Sequence, residues 1–244
     1  MPPAEIDSLR EKLDKLALSG AKVLPFKGRP VMDRAFFPGG NGLFDGSKGT
    51  LPIGGTLILG SNFGCIADFI DETGGLIRRD ETGSSATWRG LREILKQTPV
   101  RLEDCFFSNA FPYLHYGTSN LTKDLIPIWL RDELLMKDCV GFFHETLSTV
   151  RPKLIVALGT GTPAFLSRIW PKELGAWAGR SIASMDQIPS SSVPFAGGTC
   201  ICTAITHPSD RRNAGLRRQP YSGREGEVKL ITEAAHQAGI GVKH

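Results

Sequence analysis

The sequence lacks any apolar run approaching the roughly 18 residues that a membrane-spanning helix requires. Its start, Met1-Pro2-Pro3-Ala4-Glu5, has no basic stretch leading into an apolar one. The expectation is a cytoplasmic chain that is neither exported nor embedded in a membrane. Cysteine is scarce: five in 244 residues, an odd number, with no C-x-x-C pair. Cys65, Cys105, Cys139, Cys200 and Cys202 sit in or beside apolar runs. They are expected to be buried thiols, not disulfides, zinc ligands or cluster ligands. No sign of charge dominates, because 29 Lys and Arg stand against 25 Asp and Glu. Also missing are a G-x-S-x-G elbow, a G-x-x-x-x-G-K-[ST] loop and an H-E-x-x-H pair.

What remains is the balance of a folded, soluble domain, 41% hydrophobic and 22% charged. The 28 glycines and 16 prolines have no period, which excludes a collagen-like chain. The length allows one large α/β domain with a sizeable core. A single domain over 1–244 is expected, with residues 1–55 forming an N-terminal helix and a Gly- and Phe-rich extension.

Ile6, Leu9, Leu13 and Leu16 have the spacing of an amphipathic helix over about 5–19. From Lys27 to Gly55, Phe36, Phe37 and Phe44 stand between the breakers, which reads as an ordered loop region rather than a linker. Four apolar runs follow, at 56–60 (TLILG), 105–109 (CFFSN), 153–159 (KLIVALG) and 200–206 (CICTAIT). Short continuous runs alternating with helical patterns are expected of parallel strands covered on both faces. Helices are expected at 87–97, 125–150 (interrupted near Pro127), 162–170 and 226–238. The fold class is α/β: a three-layer α/β/α sandwich around a mainly parallel four-stranded sheet.

Each strand ends in turn formers and polar residues. These are Gly60-Ser61-Asn62-Phe63-Gly64, Ser108-Asn109-Ala110-Phe111-Pro112, Gly159-Thr160-Gly161-Thr162-Pro163 and Thr206-His207-Pro208-Ser209. Ligands of parallel α/β sheets bind beyond the carboxyl ends of the strands, so the site is expected at that edge. Gly159-x-Gly161-x-x-Ala164 follows a strand and opens a helix, as a dinucleotide loop does. Pro163 intrudes, however, and no acidic residue ends a following strand about 20 residues on. A tight strand-to-helix turn is the simpler reading. His144, His236 and His244 have structural or surface settings, and His115 is read as a loop histidine. Between His207 and Lys229 six basic residues stand against three acidic ones. That pattern suits a solvated face or, beside a catalytic loop, a phosphate backbone.

The loops Gly60-Ser61-Asn62-Phe63-Gly64 and His207-Pro208-Ser209 are the most specific pair. With them the sequence resembles the uracil-DNA glycosylase superfamily, whose members carry a G-x-[N/D/E]-x-[G/Y] loop after the first strand and an H-P-S-type loop after the last. Asn109 looks like the sheet asparagine that reads uracil, and the strand Pro152 to Gly159 is also similar. The resemblance covers about 54–215 and is nearest in pattern to the single-strand-selective and mismatch-specific branches. It implies a monofunctional hydrolase that releases uracil from DNA without a metal or organic cofactor, acting as a monomer on single strands or on a flipped base.

Those residue types fit that chemistry. Cleaving an N-glycosidic bond leaves an oxocarbenium-like sugar and an anionic base, and an N–H from His207 aimed at uracil O2 would stabilise the anion. Asn62 is expected to hold the attacking water. Asn109 offers one acceptor and two donors, which complements uracil N3–H and O4. Discrimination against cytosine requires its amide to be locked in one orientation. The remaining expectations follow from the resemblance: Gly60, Ser61, Phe63, Gly64 and Phe69 around the base, and Ser209, Arg211, Arg212 and Asn213 on DNA. Trp88 is a second candidate for base stacking, although core packing is the simpler reading for both Trp88 and Phe69.

Several positions depart from the pattern. Phe63 stands where the superfamily usually has Pro, and Asp210 where it often has Pro. Gly64 replaces the Tyr that excludes a 5-methyl group in the uracil-specific branch, which implies room for 5-substituted uracils. Two other readings remain open at this stage: a nucleic-acid-binding relative with lost or altered catalysis, and a nucleotide-binding enzyme built on the Gly159–Gly161 turn.

Overall fold

The computed structural model describes residues 4–15, 23–25, 36–44, 50–62, 85–115, 130–209 and 218–241. In chain order the elements are helix α1 (Ala4–Asp14), strands β1 (Val23–Pro25) and β2 (Thr56–Gly60), helix α2 (Ala86–Leu95), and strands β3 (Cys105–Asn109) and β4 (Tyr113–His115). Helix α3 (Glu133–Val150), strand β5 (Leu154–Leu158), and helices α4 (Gly161–Ile169), α5 (Pro171–Leu174) and α6 (Ile182–Gln187) follow. Strands β6 (Ser190–Phe195) and β7 (Gly198–Ile205) and helix α7 (Gly223–Gln237) complete the chain.

The main sheet has the order β3-β2-β5-β7-β6, in which the first four strands are parallel. These four are the apolar runs of the sequence. Leu57, Ile58 and Leu59 are each fully buried, because both faces of β2 are covered. Each such side chain contributes about 1.5–3 kcal/mol by leaving water. The sheet has five strands, not the expected four, since β6 pairs antiparallel with β7. Its sequence, SSSVPF, buries only Val193, and an edge strand of serines with a proline carries no strand-like apolar pattern.

Alternation along the strands divides the core. Leu57, Leu59, Phe106, Ile155 and Ala157 face α1, α3 and α4. Ile58, Phe107, Leu154, Val156 and Leu158 face α2 and α7. Helices therefore cover both faces, as expected. Helix α2 is capped by Ser85, whose hydroxyl accepts from the Thr87 N–H, and α3 by Asp132, which accepts from the Leu135 N–H. No helix among the described residues is long and apolar enough to cross a membrane.

Residues 36–44 line the outer edge of β3. The Phe37 N–H donates to Phe107 O, the Asn109 N–H to Phe37 O and the Phe107 N–H to Gly42 O. Phe36 and Phe37 point to opposite layers, one into each core cluster. Arg10 of α1 pins the turn, donating to Pro38 O and Gly40 O while its guanidinium lies over the Phe37 ring. Part of the Gly- and Phe-rich region thus closes an otherwise open sheet edge.

Candidate functional site at the carboxyl edge of the sheet

Strand β2 has β3 on one side and β5 on the other, so the direction of winding reverses beside it. That reversal is the switch point at which doubly wound sheets bind ligands, beyond the carboxyl ends of the strands. The exits there are, in spatial order, Asn109 from β3, Ser61-Asn62 from β2, Gly159-Thr160 from β5 and Thr206-His207 from β7. With strands about 4.8 Å apart, these positions span roughly 14 Å from first to last.

Asn109 is the last residue of β3, paired in register with Gly60, and is 5% exposed. The Ala110 N–H donates to Gly60 O and the Phe111 N–H to Ser61 O, so the backbones of the two loops are tied together. The Asn109 amide packs directly on Gly60. A Cβ at residue 60 would stand 2.3 Å from Asn109 Oδ1 and 3.4 Å from the Phe36 ring. Gly60 is therefore needed for close approach.

Ser61 and Asn62 are half-buried. The Ser61 Oγ and Asn62 Nδ2 atoms are shielded from solvent without a hydrogen-bond partner among the described residues. Buried donors of this kind carry a desolvation cost, which a bound polar group removes. At the next exit Gly159 adopts φ +76°, a conformation glycine takes without strain. His207 Cβ lies alongside, 3.5 Å from where a Gly159 Cβ would be, so β5 projects no side chain at this position beside the imidazole. Helix α4 begins at Gly161 with no side-chain cap among the described residues, and Thr162 Oγ1 is buried there without a partner among them. Its first N–H groups give this edge positive character.

His207 is half-buried, two residues past β7. Its Nδ1 lies 2.7 Å from Ser209 Oγ and accepts from the Ser209 N–H at 3.4 Å. Ser209 itself is exposed. Thr206, the residue before His207, is held from below: Glu227 Oε1 accepts from the Thr206 N–H, which belongs to the peptide joining Ile205 to Thr206, and from the Thr206 hydroxyl, both at 2.6 Å.

Of the expected site residues, Gly60, Ser61, Asn62, Asn109, His207 and Ser209 lie at this edge. Phe63, Gly64, Phe69, Arg211, Arg212 and Asn213 lie outside the described residues, as do Cys65, Asp210 and His244. Trp88 is fully buried among Phe36, Phe44 and Phe107 and belongs to the core. Phe111 is likewise buried, 5.6 Å from Phe165. The basic segment needs correction. Arg218 is wholly internal, bound to Asp186 and to Ala204 O, and Arg224 pairs with Glu93 at 2.7 Å. Arg224 thus stands on a solvated face, and Arg218 on neither a solvated nor a phosphate-binding one. His144 and His236 are exposed. Sequence reasoning missed Phe36, Glu227 and the buried role of Arg218; only the small residue at position 60 hinted at a close neighbour.

No family model matches the chain, and no curated protein matches it.

Proposed function

We propose that the protein is a DNA glycosylase that hydrolyses the N-glycosidic bond of uracil. The reading rests on one observation above all. Asn62, Asn109 and His207, far apart in sequence, emerge at one edge of the sheet, and the Asn62 amide donor is buried there without a partner among the described residues. An amide that reads a base, an amide that holds water and an imidazole that receives a leaving anion form the set this reaction needs.

In the proposed reaction Asn109 donates to uracil O4 and accepts from N3–H, its amide packed against Gly60. Asn62 orients a water toward the sugar C1′. As the C1′–N1 bond breaks, its electron pair passes to the base, and charge accumulates on O2. The His207 Nε2–H donates to that oxygen, a contribution of about 3–4 kcal/mol by analogy with oxyanion-hole donors. The water oxygen then bonds C1′, and the proton it releases neutralises the departing uracil anion. The α4 N-terminus adds a favourable potential for negative charge at this edge. Ser209, Arg211, Arg212 and Asn213 would bind the DNA backbone, and a base in duplex DNA must be flipped to reach the site.

The test is incubation of the purified protein with single-stranded and duplex oligonucleotides carrying one uracil, then alkali. Strand scission at uracil, and none at thymine or cytosine in matched strands, is expected. Intact strands at equimolar protein overturn the reading.

A further inference from the structure

Beneath the His207 loop lies an ionic cluster that the proposed reaction does not use, with Arg218 and Glu227 fully buried and Asp186 at its rim. Arg218, in the segment leading to α7 and 0% exposed, donates from Nε to Asp186 Oδ1 at 2.8 Å and from Nη1 to Ala204 O at 2.7 Å. Its Nη1 lies 3.8 Å from Glu227 Oε1. Asp186 also accepts from the Gln219 N–H at 3.1 Å. Glu227, 0% exposed on α7, uses the same Oε1 to receive both donors of Thr206.

Two features make this arrangement more than a way to hold α7 on the sheet. Burying three charged groups contributes little net stability, because desolvation offsets their attraction; apolar residues of similar volume would serve the fold as well. The cluster also acts at both ends of one loop. The Arg218–Ala204 bond closes the chain between positions 204 and 218, and the Glu227 carboxylate fixes the backbone N–H and hydroxyl of Thr206, the residue before His207. Charge-assisted bonds are short and directional, which apolar packing is not.

We infer that Glu227, with Arg218 as its counter-charge, is a positioning residue that sets the height and direction of the His207 imidazole at the mouth of the site. The inference rests on the glycosylase reading only for what His207 then does. Glu227 touches no substrate; it acts through Thr206.

The experiment compares Glu227→Leu, Glu227→Gln and Thr206→Val with the unaltered protein. It measures kcat and KM for uracil release, the thermal midpoint, and the 15N and 1H imidazole resonances of His207, assigned with His207→Ala. Glu227→Gln keeps an oxygen for both Thr206 donors and is expected to retain kcat within about threefold. Glu227→Leu loses it and is expected to lower kcat by about tenfold to a hundredfold with KM little changed, the scale of a small misplacement of a reacting group. Its His207 resonances should move away from those of the unaltered protein. Thr206→Val, which removes only the hydroxyl and keeps the shape, should shift both readouts in the same direction by less, and it carries the test if Glu227→Leu does not fold. If no variant releases uracil but Glu227→Leu or Thr206→Val moves the His207 resonances, the positioning role stands and the glycosylase reading falls. Unmoved resonances and unchanged kcat in a folded Glu227→Leu or Thr206→Val protein overturn the inference. So does a Glu227→Gln protein as impaired as Glu227→Leu.

Discussion

The amide oxygen of Asn109 occupies the place a side chain on Gly60 would need: a Cβ there would stand 2.3 Å from Oδ1. The two residues are register partners on adjacent parallel strands. The glycine at the end of β2 therefore decides where the amide at the end of β3 can sit.

Gly60→Ala is the sharpest probe of that contact. Overpacking a buried site costs about 1–3 kcal/mol, and the most direct relief is movement of the Asn109 amide. The expected outcome is a folded protein with a modestly lower urea midpoint and kcat/KM for uracil reduced about 10- to 100-fold, in line with that energy. Unchanged kcat/KM in the alanine protein would show that Asn109 does not read the base from this position.

Asn62 should separate activity from stability. Its Nδ2 is buried without a partner among the described residues, so Asn62→Ala removes a donor unsatisfied there. The urea midpoint is expected to hold or rise. Base release is expected to fall by about 10² or more as water positioning is lost. A fall in both quantities together would assign Asn62 a structural role instead.

How much of this was legible in the sequence depended on the kind of signal. The four parallel strands announced themselves because burial on both faces demands unbroken apolar runs such as LILG and LIVAL. The edge strand β6 did not, because a half-exposed strand of Ser190, Ser191 and Ser192 with Pro194 has no such demand. Asn62, Asn109 and His207 stood out by their places after strands. Arg218 and Glu227 did not, since a buried ion pair and a solvated charge run look the same in one dimension. Nor did Phe36, whose contact with Gly60 arises only because residues 36–44 fold back along β3.

The buried thiols predict an alkaline limit to stability. Burial pushes the thiols of Cys105, Cys139 and Cys202 well above their usual range, with Asp104 and Asp138 adding to the effect at the first two and a hydrogen bond with Cys200 at the third. In the unfolded chain they ionise near pH 8.5. Their stabilisation is thus fully present below about pH 8.5 and is lost as pH rises toward the folded values, at about 1.4 kcal/mol per pH unit per thiol. The urea midpoint should drop clearly between pH 8 and pH 10, and less steeply in Cys202→Ala. Equal midpoints at the two pH values would contradict the burial of these groups.

Release of the free base tests the central claim most directly. Mass spectrometry of the small-molecule fraction, after mixing protein with a single-uracil oligonucleotide, should detect uracil accumulating to one equivalent per strand. Asn62→Ala and His207→Ala should each slow that release by about 10² or more. No uracil at equimolar protein, or equal release by the unaltered and both altered proteins, would contradict the account.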